Sequence, residues 1–399
     1  MPAMPGLTNF PGGFAAGLTV RGVPILQTNP GNFFWVYSGT ILERATGEVA
    51  GSDSNRGTFQ RPFATLAGAL AQCTPGKGDV IIIKPGHQET ITSATQLLIS
   101  CSDVAIVGLG AGLDRPQFTL STAATATIGI TGSNISIQNC QFVANFLNIT
   151  SLFTFQAAVF TASISGNTMT VTAVSSGTIY PGDLLTSSLT GFTPNTAVIA
   201  QISGPTGGVG VYIVSGPNTQ SVASGTINDP ANFFAMDNCE VRDTSSVLNF
   251  LSIATFGTTN NLADGFTLTN NRILLAATSG AINLFTPTLT MDRVRIEGNY
   301  YASPTTNAGA MIPLSSGKVL TNVSIQNNQF NLANAAGTAT GIIITTNSST
   351  NSGIYNLNTS FALPSTALLI TASSGFMYGQ NWHTHTPDKT PQYLPTQAA

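Results

Sequence analysis

The sequence predicts an all-β protein, a right-handed parallel β-helix with a capping helix and a small inserted β domain. Three observations lead to this prediction. A short pattern recurs along the 399-residue chain, only 7% of the residues are charged, and 40 are glycine. Thr, Ser and Asn crowd the apolar segments, and no Lys-rich or Glu-rich amphipathic pattern is present. Short strands bounded by turn residues have this composition.

The recurring pattern has six positions. The first is apolar, the third is Asn or Gly, the fourth is a small polar residue or Cys, and the sixth is apolar or aromatic. Any residue can occupy the second and fifth. Its copies from Met236 onward recur about every 30 residues, as in a solenoid. Asn and Gly accept positive φ, so each copy is predicted to be a strand, a turn and a second strand. Stacking at about 4.8 Å would place Asn over Asn, where side-chain amides hydrogen-bond along the stack. The predicted ladder residues are Asn139, Asn238, Asn270 and Asn327.

Residues 1–50 do not repeat and are rich in Gly, Pro and aromatic residues. We predict an extended N-terminal arm that packs on the rest of the molecule or on a neighbouring one. A flexible terminus is the alternative, although disordered segments are normally poor in aromatic residues. Residues 1–16 lack the pattern of a signal peptide, and no apolar run is long enough to predict a membrane span. The candidate interface residues are Phe10, Phe14, Arg21, Phe33, Phe34 and Trp35.

Residues 51–159 are predicted to form the first part of the β-helix. A polar loop is followed by Pro62 and a short amphipathic helix. A buried strand at 79–84 then ends in the turn Pro85-Gly86. Because the first coil of a solenoid exposes its core, the helix is expected to cover that end. The residues that share the apolar face of the helix are Phe63, Leu66, Ala67 and Leu70.

Three segments carry a resemblance to a known family: Leu-Thr-Val-Arg-Gly-Val-Pro at 18–24, Pro-Phe-Ala-Thr at 62–65, and Gly-Asp-Val-Ile-Ile-Ile-Lys-Pro-Gly at 78–86. They resemble the start of the pectate-lyase-like β-helix superfamily, especially bacteriophage virion proteins. The resemblance covers residues 18–143, and the later coils only through the repeat. It implies either a tailspike, which cleaves glycans, or a head-associated protein, which does not.

The spacing of the repeat breaks between Phe142 and Met236. Short strands with Gly turns fill this gap, and removing residues 160–226 shortens the span from Ile137 to Met236 to about 32 residues, which is one coil. We therefore predict an inserted β domain over 160–226, projecting from one face of the solenoid. Part of it resembles a module of phage structural proteins. The second part of the β-helix is predicted over 227–380, and a Pro-rich C-terminal tail over 381–399.

Charge and cysteine content narrow the range of partners. A net charge of −3, thinly spread, indicates no nucleic-acid partner, and a charge-poor surface suggests cover by another protein. The four cysteines are too few and too scattered for a disulfide scaffold or a zinc ribbon. Cys140 and Cys239 hold the same position in two copies and are predicted to stack inside the solenoid. No cofactor is predicted.

Two carboxylates are the candidates for glycan cleavage, which needs an acid and a base or nucleophile about 5 to 9.5 Å apart. Stacking the copies puts Asp237 and Glu297 two coils apart, near 10 Å. Glu240 and Arg272 are predicted to meet as a surface ion pair. With the neighbouring Arg242, Asp243, Arg293 and Arg295 they form the one charged patch of the body, and we favour the alternative that this patch is a structural ion-pair network. An Asp cluster to hold Ca²⁺ for a lyase is absent from the sequence, and we expect no enzymatic activity.

Three histidines complete the candidate residues. His383 and His385 alternate on an extended segment, so that in a trimer six imidazoles could surround one metal ion on the axis. An exposed tail without metal is the favoured alternative, because His-x-His alone is a weak signal. His87 follows a Pro-Gly turn and is predicted to be a turn residue.

The resemblance implies a phage virion structural protein. We expect a capsid decoration or cement protein that binds the major capsid protein on the outer surface of the phage head, after assembly in the host cytoplasm. It would act by burying surface against neighbouring subunits and so holding them together. The homotrimer follows from the resemblance and from closed symmetry. The alternative is a tailspike or receptor-binding protein that binds a host glycan, with or without cleaving it.

Overall fold

The structure is a computed structural model, and it describes seventeen segments of the chain. They are 18–20, 23–25, 31–39, 48–155, 158–194, 196–243, 252–256, 263–274, 283–286, 291–303, 319–332, 342–344, 352–363, 368–370, 375–378, 381–385 and 391–394. Strands dominate these segments, and they stack as a parallel solenoid. The structure confirms the predicted fold class, a parallel β-helix with a capping helix and an inserted β domain.

Three sheets run along the solenoid, with strands numbered in chain order. In hydrogen-bonded order the first sheet contains β3 (Phe33–Val36), β4 (Asp79–Ile83), β7 (Val104–Gly108), β10 (Ile135–Gln138), β18 (Phe234–Asp237), β22 (Phe266–Thr269), β26 (Arg295–Glu297), β29 (Val323–Gln326), β32 (Ser352–Asn356) and β35 (Gly375–Tyr378). All neighbours in it are parallel.

The second sheet also has ten strands, and all but the last pair are parallel. They are β5 (Gln88–Ile91), β8 (Gln117–Leu120), β11 (Gln141–Ala144), β19 (Glu240–Asp243), β23 (Arg272–Leu274), β27 (Tyr300–Ser303), β30 (Gln329–Leu332), β33 (Thr359–Leu363), β36 (Asn381–His385) and β37 (Pro391–Leu394). The final strand, β37, reverses direction and pairs antiparallel with β36.

The third sheet is shorter, and three small sheets accompany it. The third sheet contains β6 (Leu97–Ile99), β9 (Ile128–Ile130), β12 (Phe153–Phe155), β20 (Ser252–Phe256) and β24 (Asn283–Thr286). The small sheets are β1 (Leu18–Val20) with β2 (Val23–Ile25), β21 (Ala263–Asp264) with β25 (Met291–Asp292) and β28 (Leu320–Thr321), and β31 (Ile342–Ile344) with β34 (Leu368–Ile370).

Apolar side chains alternate along these strands and meet inside the coils. The pattern in β4 and β7 is buried at every second residue, as expected when one strand face lines a core. Phenylalanine rings stack from coil to coil, with the centroids of Phe118 and Phe142 5.7 Å apart and those of Phe234 and Phe266 5.9 Å apart. This continuous core fixes the register of the coils.

Helix α1 (Leu66–Leu70) covers the first coil, and a short 3-10 helix occupies Gly112–Asp114. α1 is shorter than the sequence suggests, because Thr65 rather than Pro62 caps its N-terminus by accepting from the Gly68 N–H. Leu66 and Leu70 are buried against the core, as predicted. The described segments contain no helix that is long and apolar enough to cross a membrane.

The inserted domain is a separate antiparallel sheet with its own core. Its strands, in the order β15, β16, β14, β13, β17, are β15 (Val198–Ser203), β16 (Gly210–Val214), β14 (Thr168–Ser176), β13 (Ala158–Ser165) and β17 (Ser221–Asp229). The sheet therefore spans 158–229, against the 160–226 expected from the spacing. β10 pairs directly with β18, so the solenoid continues past the insertion.

A buried amide ladder stabilises the later coils, one residue beyond the predicted position. The side-chain oxygen of Asn299 accepts from both the backbone and side-chain N–H of Asn271, at 2.9 and 3.0 Å. Asn299 in turn donates to Asn328, which donates to Asn358. In the earlier coils Cys140 and Cys239 occupy the ladder position, where the Cys140 N–H lies 3.4 Å from the Cys239 sulfur. Both thiols are free.

The predicted ladder residues form the turns, as the repeat suggested. Asn139, Asn238, Asn270 and Asn327 all have φ between 50° and 54°, the left-handed conformation. Asn is tolerated there because its short polar side chain bonds locally. One pair bonds along the stack, since the Asn238 side-chain amide donates to Asn139 Oδ1 at 3.4 Å.

Both predicted terminal extensions contain solenoid strands. Residues 33–36 form β3, the first strand of the first sheet, so Phe33, Phe34 and Trp35 belong to the solenoid rather than to a free arm. Phe10, Phe14 and Arg21 lie outside the described residues. Residues 381–385 form β36, which continues the second sheet in parallel, where the sequence suggested a tail.

Candidate functional site

The strongest candidate site lies on the outer face of the first sheet, near the ends of β18, β22, β26 and β29. The strand register stacks Asp237, Thr269, Glu297 and Gln326 in the order expected from the repeat. One strand separates the two acids, which corresponds to a distance of about 10 Å between their backbones.

Asp237 is held by its neighbours in the next coil. Its Oδ1 accepts from the Thr269 hydroxyl at 2.7 Å and from the Asn270 side-chain amide at 2.9 Å. Asp237 therefore acts in the structure as an acceptor that ties two coils together.

Glu297 is held as a carboxylate by a cation and a hydroxyl. Arg295 lies 2.6 Å from its Oε2, and the Ser324 hydroxyl donates to its Oε1 at 2.6 Å. The hydrogen bond from Arg295 lowers the pKa of Glu297 below its ordinary value. A general acid for glycoside cleavage needs a raised pKa, so this environment favours the role of charge partner or base over that of acid.

A shallow groove of about 450 Å³ runs beside these residues. Its floor is formed by strand residues of the first sheet, including Ser136 and Thr267, and its wall includes Phe233, Arg293 and Arg295. Both guanidinium groups are more than half exposed. The groove thus presents hydroxyl groups, guanidinium groups and one aromatic ring to solvent.

Arg293, one of the residues of the predicted charged patch, lies in the wall of this groove. Its Nε donates to Asp264 Oδ1 at 2.7 Å, and its Nη2 pairs with Asp264 Oδ2. A second carboxylate, Asp292, lies 3.9 Å away, and the guanidinium stands 5.1 Å from the centroid of the Phe233 ring. A bidentate Arg–carboxylate pair of this kind fixes the side chain in one orientation.

The second charged pair predicted from the repeat has a different partner. Glu240 and Arg272 are register neighbours in β19 and β23. The ion pair that Glu240 makes is with Arg242, at 3.9 Å, and it also accepts from Gln141 at 3.1 Å. The pair with Arg242 lies within β19, whereas the bond from Gln141 joins two adjacent coils, so this part of the patch stabilises the stack in the way a structural network does.

The metal site considered for His383 and His385 on a trimer axis stays a prediction, because their side chains lie outside what the structure describes. His383 and His385 lie in β36, whose backbone pairs them with Ser360 and Leu363. His87, expected in a turn, is fully buried and bonds the Ser38 N–H through Nδ1 at 3.0 Å. Among the described residues, three or more His, Cys, Asp or Glu side chains never gather as a metal site would require.

An aromatic cluster stands on the outside of the first coils. It consists of Phe33, Trp35 and Phe59, which we call the outer aromatic cluster. The rings of Trp35 and Phe59 meet edge to face at 4.9 Å, and Phe33 and Phe59 are about half exposed. Lys84 contacts the cluster, because its Nζ lies 3.7 Å from the Phe59 ring centroid. The same atom forms an ion pair with Glu48 Oε1 at 3.0 Å.

Comparison with known proteins gives a likeness of fold. The chain is similar to a solved structure named rhamnogalacturonan lyase, with a TM-score of 0.38 and 14% sequence identity, over 91% of this chain and 79% of that one. No family model and no curated protein matches the sequence.

This comparison corrects the expectation that the chain is not an enzyme, because the similar structure bears the name of one. At this TM-score and identity the likeness extends to the fold alone and transfers neither substrate nor catalytic residues. The described strands support one conclusion: the chain is a parallel β-helix.

Proposed function

We propose that this chain is a bacteriophage virion protein that decorates the outside of the capsid as a homotrimer bound to the major capsid protein. The observation that carries the proposal is the outer aromatic cluster. Large half-exposed rings that are held in place, Phe33 by strand β3 and Phe59 by Trp35 and Lys84, are typical of binding hot spots. The phage resemblance of residues 18–143 supports the choice of partner.

The rigidity of the cluster strengthens the argument. β3 pairs with β4 along its whole length, and the Lys84 ammonium fixes the Phe59 ring from the protein side. A preorganised apolar surface loses little conformational entropy on binding, so more of its burial becomes affinity. A contact at the first coil would orient the long axis of the solenoid relative to the surface that it binds.

Binding to capsids that lack the protein tests this function. We expect saturable binding of the wild-type chain and a loss of at least tenfold in affinity for the double variant Phe33→Ser, Phe59→Ser. Leu113→Ser is the matched control, because Leu113 is 96% exposed and lies outside the cluster. Equal binding by the double variant and the control would contradict the assignment of the surface.

Two further measurements test the assembly. Light scattering should give three copies of the 41.2 kDa chain, about 124 kDa. Decorated capsids should resist heat or low salt better than bare ones. Unchanged capsid stability would argue against a cementing role, even if binding is observed.

A second candidate function rests on the groove beside Arg293 and Arg295. Hydroxyl groups, guanidinium groups and an aromatic ring bind sugars, so a tailspike or receptor-binding protein that holds a host glycan is the alternative. Incubation with host polysaccharide tests it. Binding that is lost in Arg295→Ala, or chain shortening that is lost in Glu297→Gln, would support the groove as the functional site over the outer aromatic cluster.

A further inference from the structure

The inserted domain meets the solenoid through a buried polar joint. We define the joint as Ser102, Ser133, Asp183, Asp229 and Asn232, all of which are buried. The two serines belong to solenoid coils, Asp183 lies in the loop between β14 and β15, and Asp229 ends β17. The apolar cores of the two parts are separate, so the joint is where polar groups connect them.

Hydrogen bonds in the joint run from the solenoid to Asp183. The Ser102 hydroxyl donates to Asp183 Oδ1 at 2.7 Å, and the Tyr180 N–H donates to Asp183 Oδ2 at 2.6 Å. Ser102 is itself fixed, because its oxygen accepts from the Ser133 N–H at 3.0 Å. Both oxygens of Asp183 thus accept from donors, which suits a carboxylate.

The carboxyl group of Asp229 is fully buried, and in the described structure neither of its oxygens has an N–H or hydroxyl donor. The adjacent Asn228 pairs with Thr186 in a β-bridge, which brings Asp229 beside the loop that carries Asp183. Burial and the charge of Asp183 raise the pKa of Asp229 well above its ordinary value. Burial also raises the pKa of Asp183, and its own hydrogen bonds oppose that rise. The other charged group that acts on the pair is Asp103, which is also acidic. Two negative charges side by side, away from water, are too costly to persist.

We propose that Asp183 and Asp229 share one proton, and that this proton latches the inserted domain onto the solenoid. The Asp229 O–H donates to the Asp183 carboxylate, so the pair carries one negative charge. When the pH rises, the proton leaves to solvent water and two charges remain in the joint. The joint then opens, because only exposure to water relieves the repulsion.

The direction of the pH effect follows from proton counting. In the open joint both carboxyls are hydrated and titrate near pH 4. Between that pH and the raised pKa of the closed pair, the closed state binds one proton more than the open state. Opening therefore becomes easier as the pH rises in this window, by at most tenfold per pH unit for one proton. Below and above the window the opening equilibrium does not depend on pH.

Hydrogen exchange of the full chain tests this inference. After correction for the intrinsic exchange rate, the opening constant is measured between pH 5 and pH 9 at the Tyr180 amide, which donates to Asp183, and at the Ser133 amide, which donates to Ser102. We expect a rise approaching tenfold per pH unit in the wild type. Asp229→Asn should abolish the slope, because an amide donates to Asp183 at every pH.

The control is Asp114→Asn, since Asp114 is exposed and distant in sequence, and it should keep the wild-type slope. Equal slopes in Asp229→Asn and the wild type would overturn the proposal. So would protection that depends on added calcium and is lost with a chelator, because a cation rather than a proton would then join the two acids. If Asp229→Asn does not fold, Asp183→Asn provides the same comparison.

Discussion

Replacing Asn299 by alanine removes one rung of the buried amide ladder. Asn299 accepts two hydrogen bonds from Asn271 and donates to the Leu268 carbonyl at 2.8 Å and to Asn328 at 3.0 Å. Alanine leaves at least the backbone N–H of Asn271 and one side-chain N–H without a partner in the interior. Each buried orphan costs about 1 to 3 kcal/mol, so we expect a loss of about 3 kcal/mol in the free energy of unfolding.

Urea unfolding followed by tryptophan fluorescence measures this loss in the solenoid alone. The chain has two tryptophans, Trp35 in β3 and Trp382 in β36, and neither lies in the inserted domain. Asn327→Gly is the control. Asn327 is exposed in a turn with φ 54°, and Gly298 already occupies the equivalent turn of another coil with φ 66°. The control should cost less than about 1 kcal/mol.

The comparison between the two variants shows whether the buried amide ladder stabilises the coils. If Asn299→Ala costs no more than Asn327→Gly, the buried amides contribute nothing beyond the turn residues, and the ladder does not stabilise the coils. A loss confined to Asn299→Ala would assign the stability to the interior position.

Three other predictions concern the insertion, the first coil and the charged patch. Deleting 158–229 should leave a folded solenoid with unchanged far-UV circular dichroism per strand residue, because the two apolar cores are separate. Loss of the cooperative urea-unfolding transition in Trp fluorescence would contradict this prediction. Lys84→Ala should destabilise by about 3 kcal/mol in the same urea assay, since it strands a buried carboxylate, whereas the exposed Lys77→Ala should cost almost nothing. The lowered pKa of Glu297 stabilises the fold above about pH 4.5, and this contribution disappears as the pH falls through the lowered value. Between pH 6 and pH 3 the melting temperature of Glu297→Gln should therefore fall less steeply than that of the wild type.

The repeat predicted the coil register because it reflects backbone geometry. Asn or Gly at its third position forces the left-handed turn, and every later residue then has a fixed place in the next strand. This is why Asp237 and Glu297 stack as expected, with Thr269 between them.

The buried ladder one residue beyond the predicted position was missed, although the sequence held the signal. Gly298 at the third position has no amide and cannot be a rung, whereas Asn271, Asn299 and Asn328 occupy the fourth position in three consecutive copies. A buried amide needs a partner at each level, so the position with Asn in every late copy is the interior one.

Other residues carry no local signal. Arg293 and Asp264 come together only because adjacent coils place their turns side by side. Asp183 and Asp229 belong to an insertion without a repeat, and their contact depends on how that domain meets Ser102. Contacts made between elements of this kind follow from tertiary packing, which periodicity does not encode.

The inserted domain also affects the order in which the chain can fold. Ile135 and Phe234 are register partners although 99 residues separate them. β13 and β17 pair at Ala158 and Asp229, so the two ends of the folded insertion are adjacent. Without the 72 residues of 158–229, the loop that the coil must close is about 27 residues long. The entropic cost of closing this loop, expressed as a free energy, then falls by about 1 kcal/mol. We therefore expect the insertion to act as an intramolecular clamp that forms early and speeds the closing of the coil that carries it.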